Sequence, residues 1–157
     1  MYQFKDVLGT RVELTFDLQQ QMIPARHVLL LLKHNHKWLV TKHTVRGMEF
    51  PGGKAEEGET IEAAVKREAY EETGVVIEHI KLFAKYVVYS EEPFCKAVFT
   101  ADVQFIDVDA PTYETEGAYW FTTEQLDACE QLSFHMKDEG MTALRKWVEQ
   151  YESERDN

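Results

Sequence analysis

Apolar and polar side chains alternate over residues 11–16, which predicts a strand, and the aliphatic run 28–32 inside residues 27–33 predicts a second, buried one. Asn35 and His36 favour a tight turn into residues 38–42, so these two strands are expected to pair as a hairpin. A loop over residues 43–47 follows, and residues 48–51 lead into a turn at Gly52 and Gly53. The period then changes. Thr60 suits the N-cap of a helix running to Thr73, with Gly74 as its left-handed stop. Two long β-rich stretches, residues 77–89 and 94–108, precede a shorter strand at 118–121. Thr122 or Thr123 caps a short helix through Cys129, and Ser133 starts a last helix with Met136, Leu144, Trp147 and Val148 as apolar positions. This succession predicts an α/β fold in which a mixed β-sheet carries helices on both faces. The polar end, residues 152–157, is expected to fray.

A chain of 157 residues fits one domain, and 44% hydrophobic with 29% charged residues is the balance of a folded protein. The net charge of −11 argues against a surface for duplex nucleic acid, which needs clustered Lys and Arg. It leaves room for a phosphorylated substrate, because bound cations reverse the local field. Cys95 and Cys129 stand far apart without metal-type spacing, as in a reduced, cytoplasmic protein. The first six residues hold no apolar export signal, and no aliphatic run is long enough to span a bilayer.

The acidity is concentrated: Glu56, Glu57, Glu59, Glu62, Glu68, Glu71 and Glu72 crowd one stretch. On the predicted helix, Ile61, Ala64 and Val65 define an inward face, and further turns of that face bring Glu68, Glu71 and Glu72 together at i, i+3 and i+4. A solvated acidic face would lie opposite the apolar one; these carboxylates extend it. Arg67 alone does not neutralise three carboxylates, whereas hard divalent cations such as Mg²⁺ or Mn²⁺ prefer such oxygens. Just ahead, Gly52 and Gly53 let backbone approach a ligand closely.

Gly53, Glu59, Arg67-Glu68-Ala69-Tyr70-Glu71-Glu72 and Gly74-Val75 reproduce the pattern G-x5-E-x7-R-E-U-x-E-E-x-G-U over residues 53–75, with all seven fixed identities present. At ordinary residue frequencies, a chance match is on the order of 10⁻⁶. The chain therefore resembles the Nudix hydrolases, departing only in Ala69, which is smaller than the usual aliphatic residue. The resemblance implies an α/β/α sandwich and metal-assisted cleavage of a diphosphate bond. By the same resemblance, Glu68, Glu71, Glu72 and the Gly53 carbonyl would hold Mg²⁺ or Mn²⁺, and Glu59 with Arg67 would form a supporting ion pair. A further carboxylate would come from Glu116 or Glu114, with Glu116 favoured, and the general base would be Glu68 or Glu116.

Residues 39–42 with Glu49-Phe50-Pro51-Gly52-Gly53-Lys54 look MutT-like, which implies that Phe50 lines a nucleobase pocket. Nearly the whole chain is similar to Bacillus-type nucleoside triphosphatases of this group. That likeness rests on Met1-Tyr2-x-Phe4-Lys5-Asp6, Arg46-Gly47-x-Glu49, Glu114-Thr115-x-Gly117 and Ser133-Phe134-x-Met136-Lys137-Asp138. It implies hydrolysis of purine triphosphates, 8-oxo-dGTP included, to monophosphate and pyrophosphate, and action on RNA 5′-triphosphate ends. Phe134 or Asp138 would then lie near the base, unless the segment is simply a helix start packed on the sheet. Lys54, Lys42 and Arg46 are candidates for holding phosphate or plain surface charges. Alternatives are another Nudix substrate, such as ADP-ribose, a dinucleoside polyphosphate (Tyr86 or Tyr89 would fit) or coenzyme A, and a non-catalytic nucleotide sensor.

Overall fold

The computed structural model describes residues 1–111 and 115–155, with only the backbone of residues 115 and 116. In it the sheet is mixed and larger than the hydrophobic pattern alone implies. Its strands are β1 (Tyr2–Lys5), β2 (Arg11–Thr15), β3 (Ala25–Leu30), β7 (Gly52–Lys54), β8 (Val75–Val88) and β9 (Phe94–Ile106), in the order β1-β2-β8-β9-β3-β7. Only β3 and β9 run parallel. A second sheet joins β10 (Thr115–Phe121), β5 (Lys37–His43) and β4 (Lys33–His34), with β6 (Gly47–Glu49) also on β5.

The run predicted as one strand over residues 27–33 serves both sheets. β3 ends at Leu30; Leu31 N–H then bonds the Phe99 carbonyl and Leu39 N–H bonds the Leu32 carbonyl, each at 2.9 Å. The expected hairpin follows, pairing Lys33 with Trp38. Asn35 and His36 sit at φ 53° and 63°, the positive values that a two-residue turn of this hand requires.

Helices cover both faces of the large sheet. α1 (Ile61–Thr73) buries Ala64, Val65 and Ala69 against Val28, Leu30, Ala97 and Phe99. On the other face, α3 (Glu139–Arg155) sets Leu144 and Val148 into a core with Phe4, Leu14 and Tyr86, and Trp147 stacks on Phe83 at 4.2 Å. The short α2 (Thr123–Asp127) is held by a capping box between Thr122 and Gln125. No described helix is long and apolar enough to cross a membrane.

Three expectations are corrected. Gly52 and Gly53 form no turn: they lie extended in β7 against β3, and a Cβ on Gly52 would sit 2.4 Å from the Val28 carbonyl oxygen. The loop at residues 43–47 is shorter, because β6 folds back on β5. Ser133 caps only a 3-10 turn, Phe134–Met136. The helix proper starts at Glu139, where the Asp138 carboxylate accepts the Met141 N–H at 2.8 Å. α3 continues to Arg155, whose guanidinium forks onto Asp102 at 2.9 and 3.1 Å. Asp156 and Asn157 lie outside the described residues.

Asp138 fastens α3 to the sheet, since it is buried and also accepts the Tyr86 hydroxyl at 2.5 Å. Asp138→Ala should therefore lower unfolding free energy by about 1–3 kcal/mol through a lost cap and an unpaired phenol, with Asp138→Asn milder. Urea denaturation reads this directly; an unchanged midpoint for the alanine variant would contradict the anchoring role.

Candidate active site

Thr60 accepts the Ala63 N–H at 3.1 Å to start α1, and Gly74, at φ 76°, returns its N–H to the Tyr70 carbonyl at 2.8 Å to end it. Burial of Ala64, Val65, Ala69 and Thr73 then fixes the rotation of the helix. That rotation places Glu68 and Glu72 along edge strand β7. Gly53 is needed there, because a Cβ would lie 2.6 Å from the Glu68 carboxylate. The Gly52 N–H donates to Glu72.

Arg67 organises the acidic stretch. It donates to Glu59 at 2.8 and 3.0 Å, to Glu68 at 2.9 Å, to Glu71 at 3.1 Å and to the Lys54 carbonyl at 3.2 Å. The hydrogen bond from Arg67, followed by one from the Glu56 N–H, holds the Glu59 carboxyl down at about 2. The loop bearing Glu59 is clamped from β3, where Arg26 donates to the carbonyls of Glu59 at 3.0 Å and Glu56 at 2.8 Å. The supporting pair expected of Glu59 and Arg67 is in place.

Glu72 is the perturbed member. Burial first, then a hydrogen bond with Glu68 and the charge of Glu68, push its carboxyl up to about 9. Burial and the neighbouring Glu68 thus favour the neutral form of Glu72, hydrogen-bonded to Glu68. Among the described residues no three His, Cys, Asp or Glu side chains are gathered as metal ligands. Glu68 and Glu71 spend their oxygens on Arg67. The donor set still fits a hard divalent cation: two carboxylates are forced together with only a proton between them, and Glu71 is half exposed and could leave Arg67. The side chain of Glu116 and the whole of Glu114 lie outside the described residues.

Beyond Gly52 and Gly53 opens a cavity of about 410 Å³ on the α3 side of the sheet. Phe50, Phe134 and Asp138 all line it, so these candidates are brought together. Phe50 is buried against Trp38, while Phe134 is more open and lies over His135 at 4.0 Å. Asp138 reaches the wall with both oxygens already engaged by Met141 and Tyr86. Lys54 does not line the cavity; its side chain is exposed, beside the box. Arg46 forks onto Glu49 at 2.7 and 3.1 Å, and Lys42 pairs across from Met48 on β5. Burial works to raise Glu49, but the hydrogen bonds from Arg46 and Ser133 outweigh it and hold this carboxyl low. Tyr89 turns instead to Glu13 and Arg11.

His27, Tyr86 and Lys96 also line the cavity. The sequence reading passed over His27 and Lys96 and weighed Tyr86 only as one of two strand tyrosines. Lys96 carried a signal, being a charge between Cys95 and Ala97 in the apolar first half of its strand.

Comparison with known proteins agrees with this geometry. The model of the NUDIX domain matches residues 22–145. YtkD of Bacillus subtilis (strain 168), provisionally named an 8-oxo-dGTP diphosphatase, is 37% identical over 158 residues, covering 95% of this chain and 100% of the relative. The 8-oxo-dGTP diphosphatase of Escherichia coli (strain K12) is 41% identical over 61 residues, 36% of this chain and 47% of that protein. The crystal structure of the Bacillus subtilis pyrophosphohydrolase BsRppH superposes with a TM-score of 0.87 at 35% identity, over 96% of this chain and 98% of that one.

The raised Glu72 carboxyl makes a pH prediction. A carboxyl at about 9 when folded and 4.5 when unfolded binds its proton only in the fold between those values, so metal-free stability falls as pH rises through that window. Glu72→Gln removes the ionisation. Its melting temperature should match the parent's at the acid end and exceed it increasingly toward pH 9. A gap independent of pH would show that Glu72 does not hold the proton.

Proposed function

The chain belongs to the NUDIX family and is a hydrolase acting on acid anhydrides, and we propose that it uses Mg²⁺ or Mn²⁺ to cut purine nucleoside triphosphates, 8-oxo-dGTP included, to monophosphate and pyrophosphate. Triphosphorylated RNA 5′ ends belong to the same reading. The observation that carries it is the hydrogen-bonded Glu68–Glu72 pair of α1 beside edge strand β7, with an aromatic-walled cavity opening past Gly52 and Gly53. The names of YtkD, the Escherichia coli enzyme and BsRppH support it further.

NUDIX hydrolases generally use divalent metals such as Mg²⁺ or Mn²⁺. Glu68, Glu71, Glu72 and the Gly53 carbonyl would hold the ion here. Once bound, it neutralises phosphate oxygens and makes a water easier to deprotonate. Arg67 and Glu59 keep the helix and its preceding loop in register, which fixes where the carboxylates stand before substrate arrives. Glu68 or Glu116 would take the water's proton. Phe50 and Phe134 offer apolar ring surface to a purine, and Asp138 lines the same cavity.

A panel of GTP, dGTP, 8-oxo-dGTP, ADP-ribose and a triphosphorylated RNA oligonucleotide, assayed with Mg²⁺, with Mn²⁺ and with chelator, tests the reading. Triphosphates should be turned over only with metal and should release pyrophosphate; in ¹⁸O-labelled water the label should enter pyrophosphate, as attack on the β-phosphorus requires. A higher kcat/KM for ADP-ribose than for every triphosphate, or release of orthophosphate, would overturn it.

A further inference from the structure

Three basic residues stand abreast on the cavity face of the large sheet. The strand registers pair Lys54 of β7 with His27 of β3, and His27 with Lys96 of β9. Lys96 pairs in turn with Tyr86 of β8, whose hydroxyl is held by Asp138. Directly paired residues project from the same face of a sheet, and neighbouring strands lie about 4.8 Å apart, so the row spans about 10 Å. Its near end follows Gly53 of the box; its far end is in the cavity floor.

Like charges in directly opposed positions destabilise a sheet. Their grouping is notable in a chain of net charge −11. Burial first, then the charges of Lys96 and Lys54, hold His27 below the ordinary imidazole value, and His135 is depressed by burial and by Lys96. The His27 Nδ1 is buried without a hydrogen-bond partner. Lys96 makes no salt bridge among the described residues; its Nζ lies 5.7 Å from the centre of Tyr86 and 6.0 Å from that of Phe94. The carboxylates facing the same cavity are Asp6, Glu49 and Asp138. Glu49 is committed to Arg46, Asp138 to Tyr86 and the start of α3, and Asp6 to the N–H groups of Leu8 and Thr10 in its own turn. Among the described residues no carboxylate forms a salt bridge with the row, and the charges of Asp138, Glu49 and Asp6 offset only part of the burial that lowers Lys96.

We propose that Lys54, His27 and Lys96 form an anion subsite that binds a phosphate of the substrate other than those held at the carboxylate cluster. The subsite rests on the phosphorylated-substrate reading above. Two sources supply such a phosphate: the polyphosphate tail of a free nucleotide, or the first internucleotide linkage of an RNA 5′ end. Lys96 is then a specificity-determining residue, because, of the three, it and His27 line the cavity.

Calorimetric titration with inorganic tripolyphosphate in metal-free buffer tests the subsite without turnover. Lys96→Met should weaken binding by about tenfold, as loss of a buried charge contact does, and Lys96→Arg should restore most of it. Steady-state kinetics then separate the sources. With GTP, a triphosphorylated dinucleotide and the same dinucleotide bearing an uncharged methylphosphonate link, the Lys96→Met loss should appear in KM. A loss for all three substrates assigns the row to the polyphosphate tail. A loss confined to the charged dinucleotide assigns it to the internucleotide linkage. Unchanged tripolyphosphate binding and unchanged KM in both Lys96→Met and His27→Gln would overturn the subsite, as would a loss that Lys96→Arg does not rescue. Lys96-dependent tripolyphosphate binding by a wild-type protein that hydrolyses no triphosphate would instead sink the substrate assignment and leave the subsite standing.

Discussion

Glu68 and Glu72, one helical turn apart and partly withdrawn from water, are held closer than two carboxylates tolerate. Burial and the charge of Glu68 push the carboxyl of Glu72 up to about 9. Such a pair costs stability in the metal-free fold, so the surrounding structure has to enforce it. The buried stripe of Ala64, Val65 and Ala69 fixes the helix rotation, and the cap at Gly74 fixes its end. Gly53 removes the one side chain that would displace Glu68. The small Ala69, the one departure from the usual pattern, is fully buried under this turn of the helix.

Around that pair the charges form two layers of opposite purpose. Arg67 ties Glu59, Glu68 and Glu71 into a network, and Arg26 pins the loop that presents Glu59. These contacts decide where the carboxylates stand. Across β7, on the opposite face, Lys54 and Lys96 flank His27 and bring the reverse sign. An edge strand of three residues therefore separates an acidic cluster from a basic row, and a polyphosphate passing its edge meets both.

Much of this was legible in the chain. The helix, both its caps and the shared face of its carboxylates follow from the 3.6-residue period, from Thr60 and from Gly74, all local signals. The turn at Asn35 and His36 is equally local. What escaped depends on tertiary partners. Gly52 and Gly53 look like a turn until β3 lies alongside them, and β1 has too short a pattern to stand out. Ser133 and Asp138 are both suitable helix caps; Asp138 prevails because the Tyr86 hydroxyl and the Met141 N–H converge on it. Lys96 and His27 lie 69 residues apart in the chain (96 minus 27), and only the parallel pairing of β3 with β9 sets them side by side.

Under the proposed function, a divalent cation would displace the proton that burial and Glu68 favour on Glu72. Mn²⁺ titrated into the metal-free protein at neutral pH, in buffers of differing ionisation enthalpy, measures the protons released on binding. The account predicts release of about one proton per protein from the Glu68–Glu72 pair, and none from Glu72→Gln. Mn²⁺ binding without proton release, or the same release from the glutamine variant, would contradict it.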